Sequence, residues 1–170
     1  MGARSDKERS ARENTSSATV TTPSERDIVI TRTFDAPRTV VFEAWTKAEH
    51  VRQWWDPSGT PLSVCEIDLR VGGKYRYVWR HDRNGNEMGM GGLYREIVAP
   101  ERIVNTERFD EAWYPGEALN TLVLVETGGR TTLTQTVRYQ SREARDAVLK
   151  SGMESGVAAS YERLADLLAS

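Results

Sequence analysis

One short stretch of this 170-residue chain carries side chains suited to holding an aromatic molecule. Within 74–81, Tyr75, Tyr77, Trp79 and His81 occupy every second position. A β-strand points alternate side chains to opposite faces, so these four rings share one face. Exposing that face to water would be costly, which predicts that it turns inward. His81 could also move a proton, but it stands beside a turn sequence, where a solvated histidine is the simpler interpretation.

The other candidates for chemistry lack the partners that catalysis or metal binding requires. Cys65 has no second cysteine and no nearby histidine, which favours a small strand residue over a nucleophile. His50 has no ligand at a metal-binding spacing. Glu66 and Asp68 share a strand face, yet paired carboxylates divide acid and base roles only where burial separates their pKa values. We therefore predict no catalytic residue, no metal and no cofactor, and we expect Asp68 to pair with Arg70 instead.

Composition excludes several classes of protein. The 23 Lys and Arg residues against 25 Asp and Glu leave a net charge of -2, so a general basic footprint for nucleic acid is absent. One cysteine cannot form an internal disulfide. No apolar run approaches the roughly 18 residues of a membrane-spanning helix, and no signal-peptide core follows the first methionine. These features predict a single-domain cytoplasmic protein.

The chain divides into a polar leader and one domain. Residues 1–25 contain no Leu, Ile, Phe, Trp or Tyr, and their charges alternate in sign. Such a segment buries too little apolar surface to offset its ordering entropy, so 1–25 is predicted to be a disordered tail. The predicted domain covers 26–170.

Within that domain the patterns predict an α+β architecture. A strand over 27–33 precedes a helix that begins near Pro37 and a short helix over 48–55. Six strands follow at 62–69, 74–81, 87–98, 102–109, 119–126 and 130–139, separated by short turns typical of an antiparallel meander. Ser141 is placed to cap one long terminal helix, in which Gly152 and Gly156 imply a bend or a close approach.

The order of these elements, together with several local strings, resembles the helix-grip fold of the START-like (SRPBCC) superfamily, and most closely its AHSA1-like subfamily, related to the activator of Hsp90 ATPase. The strings are Phe34-Asp35-Ala36-Pro37, Val41-Phe42-Glu43-Ala44-Trp45-Thr46, Trp54-Trp55, Asp68-Leu69-Arg70-Val71-Gly72-Gly73, Gly92-Leu93-Tyr94-Arg95-Glu96-Ile97 and Pro100-Glu101-Arg102-Ile103. The likeness covers about residues 27–169. It implies a curved antiparallel sheet wrapped around a long C-terminal helix, with a cavity between the two.

The resemblance turns the aromatic face into a predicted binding site for a small apolar or aromatic ligand. Tryptophans from the helices and loops would surround the mouth of the sheet, and such pockets are apolar with a few polar groups. The residues predicted to line the cavity are Trp45, Trp54, Trp55, Tyr75, Tyr77, Trp79, Met90, Trp113, Gln135, Val157 and Tyr161.

The terminal helix departs from the subfamily pattern, which usually has Trp after the glycine that Gly156 matches. Here Val157 takes that place and Tyr161 follows, so the pattern predicts extra space between helix and sheet. Two further functions stay open. One is an Hsp90-activator-like co-chaperone in a stress response, with a chaperone as partner. The other is a cavity enzyme of the cyclase, aromatase or hydrolase kind found among START-like proteins.

Overall fold

A single antiparallel sheet forms the body of the protein. The computed structural model describes residues 17–55, 61–80, 85–112 and 114–170. Its strands are β1 (Thr19–Thr21), β2 (Asp27–Phe34), β3 (Leu62–Ile67), β4 (Lys74–Arg80), β5 (Glu87–Val98), β6 (Arg102–Phe109), β7 (Ala118–Thr127) and β8 (Arg130–Arg138). They are arranged in the order β1-β2-β8-β7-β6-β5-β4-β3, and every neighbouring pair is antiparallel.

Four helices of the described part of the chain accompany the sheet. They are α1 (Arg38–Thr46), α2 (Ala48–Trp54), α3 (Arg142–Lys150) and α4 (Met153–Ala169). The helices bury Val41, Trp54 and Leu164 among the inward side chains of the sheet, and none of these three residues is more than 1% exposed. This arrangement confirms the predicted α+β helix-grip class. Among the described residues, no helix combines the length and the apolar composition needed to cross a bilayer.

Order begins earlier in the chain than the sequence predicted. Thr19–Thr21 pairs with β2, with Val20 opposite Ile30, so part of the segment predicted as a disordered tail belongs to the sheet. Further along, the guanidinium of Arg145 donates to the carbonyl of Ser24 at 2.6 Å. The short β-branched run Thr19–Thr21 is enough to form a strand because it gains its hydrogen bonds from the neighbouring strand β2. The predicted tail residues 1–16 lie outside the described residues.

The terminal helix is also divided, where one long helix was predicted. Ser141 caps α3 as expected, since its hydroxyl accepts from the amide of Ala144 at 3.1 Å. The chain leaves the helix at Gly152, whose φ of 82° lies in the left-handed region that favours glycine. Gly152 therefore separates two helices, and α4 alone reaches the centre of the sheet, with Leu164 fully buried.

Candidate functional site: a polar cavity beneath the tryptophans

The aromatic face of β4 turns inward, as its alternation predicted. Tyr75, Tyr77 and Trp79 are all buried, whereas Lys74 and Arg80 are exposed. Burial of three rings in one strand leaves little room for long side chains opposite, and short or flexible ones face them on β5, where Met90 pairs with Tyr77. The strand therefore supplies one aromatic wall of the protein interior.

A cavity of about 60 Å³ lies between this wall and the first two helices. Five rings of the described residues line it: Trp45, Trp55, Tyr75, Tyr77 and Tyr94. Met90, Ile103 and Leu122 complete its apolar surface. Its polar surface consists of Asn105, Glu107, Asn120 and Gln135, contributed by β6, β7 and β8.

The polar side of the cavity rests on a chain of side-chain hydrogen bonds that crosses the sheet. The hydroxyl of Tyr161 on α4 donates to Gln135 Oε1 at 2.6 Å. The amide of Gln135 donates to Asn120 Oδ1 at 2.8 Å, and the amide of Asn120 donates to Asn105 Oδ1 at 3.0 Å. Asn105 and Asn120 are direct cross-strand neighbours, which brings their amides together.

The chain ends on the aromatic wall. The amide of Asn105 donates to the hydroxyl of Tyr75 at 3.0 Å, and that hydroxyl donates to the carbonyl of Thr106 at 2.6 Å. Every link from Tyr161 onward donates in the same direction, an arrangement in which hydrogen bonds polarise and strengthen one another. Burial, with the charge of Glu107 as a smaller cause, raises the pKa of Tyr75 well above its usual range, so the hydroxyl keeps its proton.

Glu107 differs from its polar neighbours because it has no partner. It lines the same cavity, but within the described part of the chain its carboxyl forms no hydrogen bond and no ion pair. Burial raises its pKa from 4.5 to about 7. The described residues that line the cavity include no lysine, arginine or histidine. The cavity therefore holds one ionisable acid whose charge nothing nearby in the described structure balances.

Other groups around the cavity are also unsatisfied. The indole N–H of Trp45 is buried and finds no acceptor in the structure as described. The Tyr77 and Tyr94 hydroxyls also form no hydrogen bond to any described residue, although neither oxygen is fully removed from solvent. Buried polar groups in proteins are normally paired, and exceptions call for water or a bound molecule. The unpaired indole N–H of Trp45 and the unpaired carboxyl of Glu107 mark this cavity as the candidate binding site.

The two adjacent tryptophans play different parts. Trp54 is 1% exposed, and its indole N–H donates to the carbonyl of Ala44 at 2.8 Å. Trp55 is half-buried, and its ring centroid lies 5.1 Å from that of Tyr77 in a tilted contact and 5.0 Å from that of Trp79 in an edge-to-face contact. Trp54 is thus a fixed part of the core, whereas Trp55 is held at the cavity by ring contacts.

Six of the eleven predicted site residues line the cavity: Trp45, Trp55, Tyr75, Tyr77, Met90 and Gln135. Four others do not. Trp54 and Trp79 pack in the core, and Val157 is half-buried beside it. Tyr161 lies behind the cavity wall, where it contacts Gln135 and Trp45. Trp113 and His81 lie outside the described residues.

The position of Val157 corrects one expectation. The cavity is not enlarged by the absence of a Trp on α4, because no residue of α4 lines it. Instead Tyr161 fills the space between helix and sheet, with its ring centroid 6.0 Å from Phe34, 6.2 Å from Trp45 and 6.3 Å from Trp54. The cavity accordingly lies between the sheet and the first two helices.

Cys65 and Asp68, which the sequence did not favour as catalytic residues, have contacts that give them a structural role. Cys65 is buried, and its thiol is 3.8 Å from the carbonyl of Ala48. Burial raises the pKa of this thiol to about 11, so it is protonated and unreactive near neutrality. Asp68 accepts from Arg70 at 2.8 Å, as expected for the turn. Within the described ranges no group of His, Cys, Asp and Glu could hold a metal ion.

Sequence reasoning missed Glu107, Asn105, Asn120 and Tyr94. A usable signal existed in β6, where alternation places Ile103, Asn105 and Glu107 on one face. Ile103 would have marked that face as inward, and two polar residues on an inward face would have indicated a polar floor.

The fold and the position of the cavity together define a helix-grip protein of the START-like class. The chain belongs to the family described as activator of Hsp90 ATPase homolog 1-like protein, whose model matches residues 35–169. A crystal structure of a Rhodobacter sphaeroides protein is 30% identical, covers 89% of this chain and 97% of its own, and superposes with a TM-score of 0.82. A Chromobacterium violaceum protein is 29% identical, covers 84% and 96%, and has a TM-score of 0.72.

A third structure carries a functional description. An HSP90 activator from Plasmodium falciparum is 24% identical, covers 66% of this chain and 72% of its own, and has a TM-score of 0.52, which shows similarity of fold. No functionally curated protein matches the sequence.

Proposed function

We propose that this protein binds a small organic molecule, with aromatic or apolar character, in the cavity beneath Trp45 and Trp55. The observation that carries the proposal is the unpaired carboxyl of Glu107 inside a cavity walled by five rings. A protein interior that served packing alone would place an apolar side chain there, since an unpaired acid that is partly removed from water destabilises the fold.

The size of the cavity limits what can enter without movement. Sites for drug-sized ligands have volumes of about 300–1,000 Å³, whereas this one is about 60 Å³. A larger molecule would enter by displacing Trp55, whose indole makes no hydrogen bond to the described residues. Trp54 stays in place because it is tied to Ala44.

Side-chain NMR signals test this proposal directly. Phenol is a suitable probe because it combines one ring with one hydroxyl, which can reach the polar floor. On titration, we expect shifts of the side-chain amide signals of Asn105, Asn120 and Gln135. The matched control is Gln53, whose amide donates to the carbonyl of Glu49 on the exposed side of α2. Cavity amides that stay still, or that move no more than Gln53, would contradict the proposal.

A co-chaperone function is the second candidate, and the family membership together with the Plasmodium falciparum HSP90 activator favours it. The discriminating experiment is to add the purified protein to Hsp90 and measure ATP hydrolysis. Stimulation that survives a substitution filling the cavity, such as Leu122→Phe, would separate the chaperone function from ligand binding.

A further inference from the structure

The charge and the walls of the cavity restrict the ligand further, on the basis of the proposed function. We infer that the molecule bound here carries a small organic cation, an alkylated ammonium or a guanidinium, seated between the Glu107 carboxylate and the surrounding rings.

The first step is the charge balance. Among the described residues of the lining, Glu107 alone titrates near neutrality, and none of the others is cationic. Arg32 is the nearby candidate, but its ion pair is with Glu162 at 3.0 Å, and Glu107 has no ion pair. An anionic ligand would face an unbalanced like charge, whereas a cation would supply the missing counter-charge.

The second step concerns the walls. Trp45, Trp55, Tyr75, Tyr77 and Tyr94 surround the cavity with ring surfaces. The faces of Trp and Tyr rings are negative and attract cations, and such aromatic cages recognise alkylated ammonium groups. The stabilisation is greatest where the cation is removed from water, which is the situation in an interior cavity.

The third step is the surroundings of Glu107 on every side. Tyr75 and Tyr77 face it from β4, and Tyr94 from β5. Asn120 and Gln135 face it from β7 and β8, with Tyr161 behind them on α4. Tyr114 and Tyr139 also lie near enough for the charge of Glu107 to raise their pKa values. Burial is the main cause that raises the pKa of each of these tyrosines, so they remain neutral while Glu107 ionises. Binding of a cation should therefore follow the ionisation of a single group.

The volume of the cavity limits the size of the cationic group. A cavity of about 60 Å³ accommodates a head group of a few heavy atoms. Any longer part of the ligand would pass beside Trp55, the half-buried ring. The cationic head would then occupy the cavity, and the remainder of the molecule would lie toward the surface.

The experiment compares tetramethylammonium with tert-butanol, a neutral molecule of similar shape, by calorimetry and by the cavity amide signals. At constant ionic strength and about pH 8, we expect the cation to bind at least about tenfold more tightly than the alcohol. Its affinity should fall about tenfold between about pH 8 and about pH 6, as Glu107 becomes protonated. Glu107→Gln should abolish the preference, while Glu66→Gln, at an exposed acid on β3, should leave it intact.

The outcomes separate this inference from the proposed function. If the alcohol binds as tightly as the cation, or if Glu107→Gln keeps the preference, the cationic assignment is overturned while small-molecule binding stands. If neither compound binds but phenol shifts the cavity amides, the same conclusion follows. If phenol also leaves the amides unmoved, both proposals fail.

Discussion

The concave side of the sheet contains two regions that were built from similar residues but differ in how completely their polar atoms are paired. The packed cluster (Phe34, Trp54, Tyr161 and Leu164) is buried, and the polar atoms of Trp54 and Tyr161 both donate hydrogen bonds. The cavity region around Glu107 has an unpaired acid, and the hydroxyls of Tyr77 and Tyr94 find no partner among the described residues.

The two regions therefore differ in what their polar atoms contribute to the free energy of unfolding. Pairing every polar atom while excluding space gives the packed cluster a single rigid arrangement. Polar atoms left unpaired around a space lower the stability of the folded protein. A bound molecule that pairs with those atoms would restore that stability. Substitutions that alter one region at a time test this difference.

The largest effect is expected from the two adjacent tryptophans. Trp54→Ala should lower the free energy of unfolding by about 3–5 kcal/mol, because it removes a fully packed ring and its hydrogen bond. Trp55→Ala should lower it by about 1–2 kcal/mol, since that ring is only half-buried. Urea unfolding measures both values. Equal losses would show that the two tryptophans are not divided between core and cavity.

A smaller loss is expected when the hydrogen-bond chain is cut. Asn120→Leu would leave Asn105 Oδ1 and the amide of Gln135 without partners. The expected destabilisation is about 2–4 kcal/mol, since each orphaned group adds its own desolvation penalty. Gln53→Leu, at a surface amide, is the control and should change stability by less than about 0.5 kcal/mol. Similar values for the two variants would mean that the chain adds nothing to stability.

Replacing the unpaired acid should increase stability, and the increase should depend on pH. Because the pKa of Glu107 is about 7 in the folded protein against 4.5 ordinarily, the folded state holds this proton more tightly than the unfolded state. The acid therefore reduces stability progressively as pH rises from 4.5 to 7, and fully above 7. Glu107→Gln removes that penalty.

The magnitude follows from the same pKa. At about pH 8 the gain from Glu107→Gln should be of the order of 2 kcal/mol, and it should shrink toward zero at about pH 4. Thermal or urea unfolding at several pH values provides the measurement, with Glu66→Gln as the exposed-acid control. A gain that is the same at all pH values, or a loss at high pH, would contradict this assignment.

The smallest effect is expected at the terminal helix. Val157→Trp should change the free energy of unfolding by no more than about 1 kcal/mol, since Val157 is half-buried and a larger ring can turn toward solvent. It should also leave the binding of phenol unchanged, because Val157 does not line the cavity. Loss of phenol binding in this variant would show that the cavity extends to α4.

Much of the fold was predictable because its signals are local. Alternation fixed the inward face of Tyr75, Tyr77 and Trp79, and turn residues marked the ends of the strands. The two errors also have local causes. The short strand at Thr19–Thr21 depends on a preformed neighbour, and the break at Gly152 depends on a backbone angle rather than on hydrophobic periodicity.

The site was harder to predict because its defining property is that the Glu107 carboxyl has no partner among the described residues. Tryptophans and tyrosines indicated where a pocket would lie, and four of them line it, together with the predicted Met90 and Gln135. Glu107 looks like any strand carboxylate in the sequence, since nothing local shows that its neighbours across three strands lack a positive charge. That property depends on register and on the depth of the cavity, which only the assembled sheet determines.

The central claim is that Glu107 is an unpaired, desolvated acid in a cavity open to a ligand. Carbon-13 NMR of the glutamate side-chain carboxyl signals, followed through a pH titration of the full chain, tests it most directly. The account predicts a midpoint of about 7 for Glu107 in the free protein, and a lower midpoint when tetramethylammonium is bound. A midpoint near the ordinary 4.5 in the free protein would contradict the account.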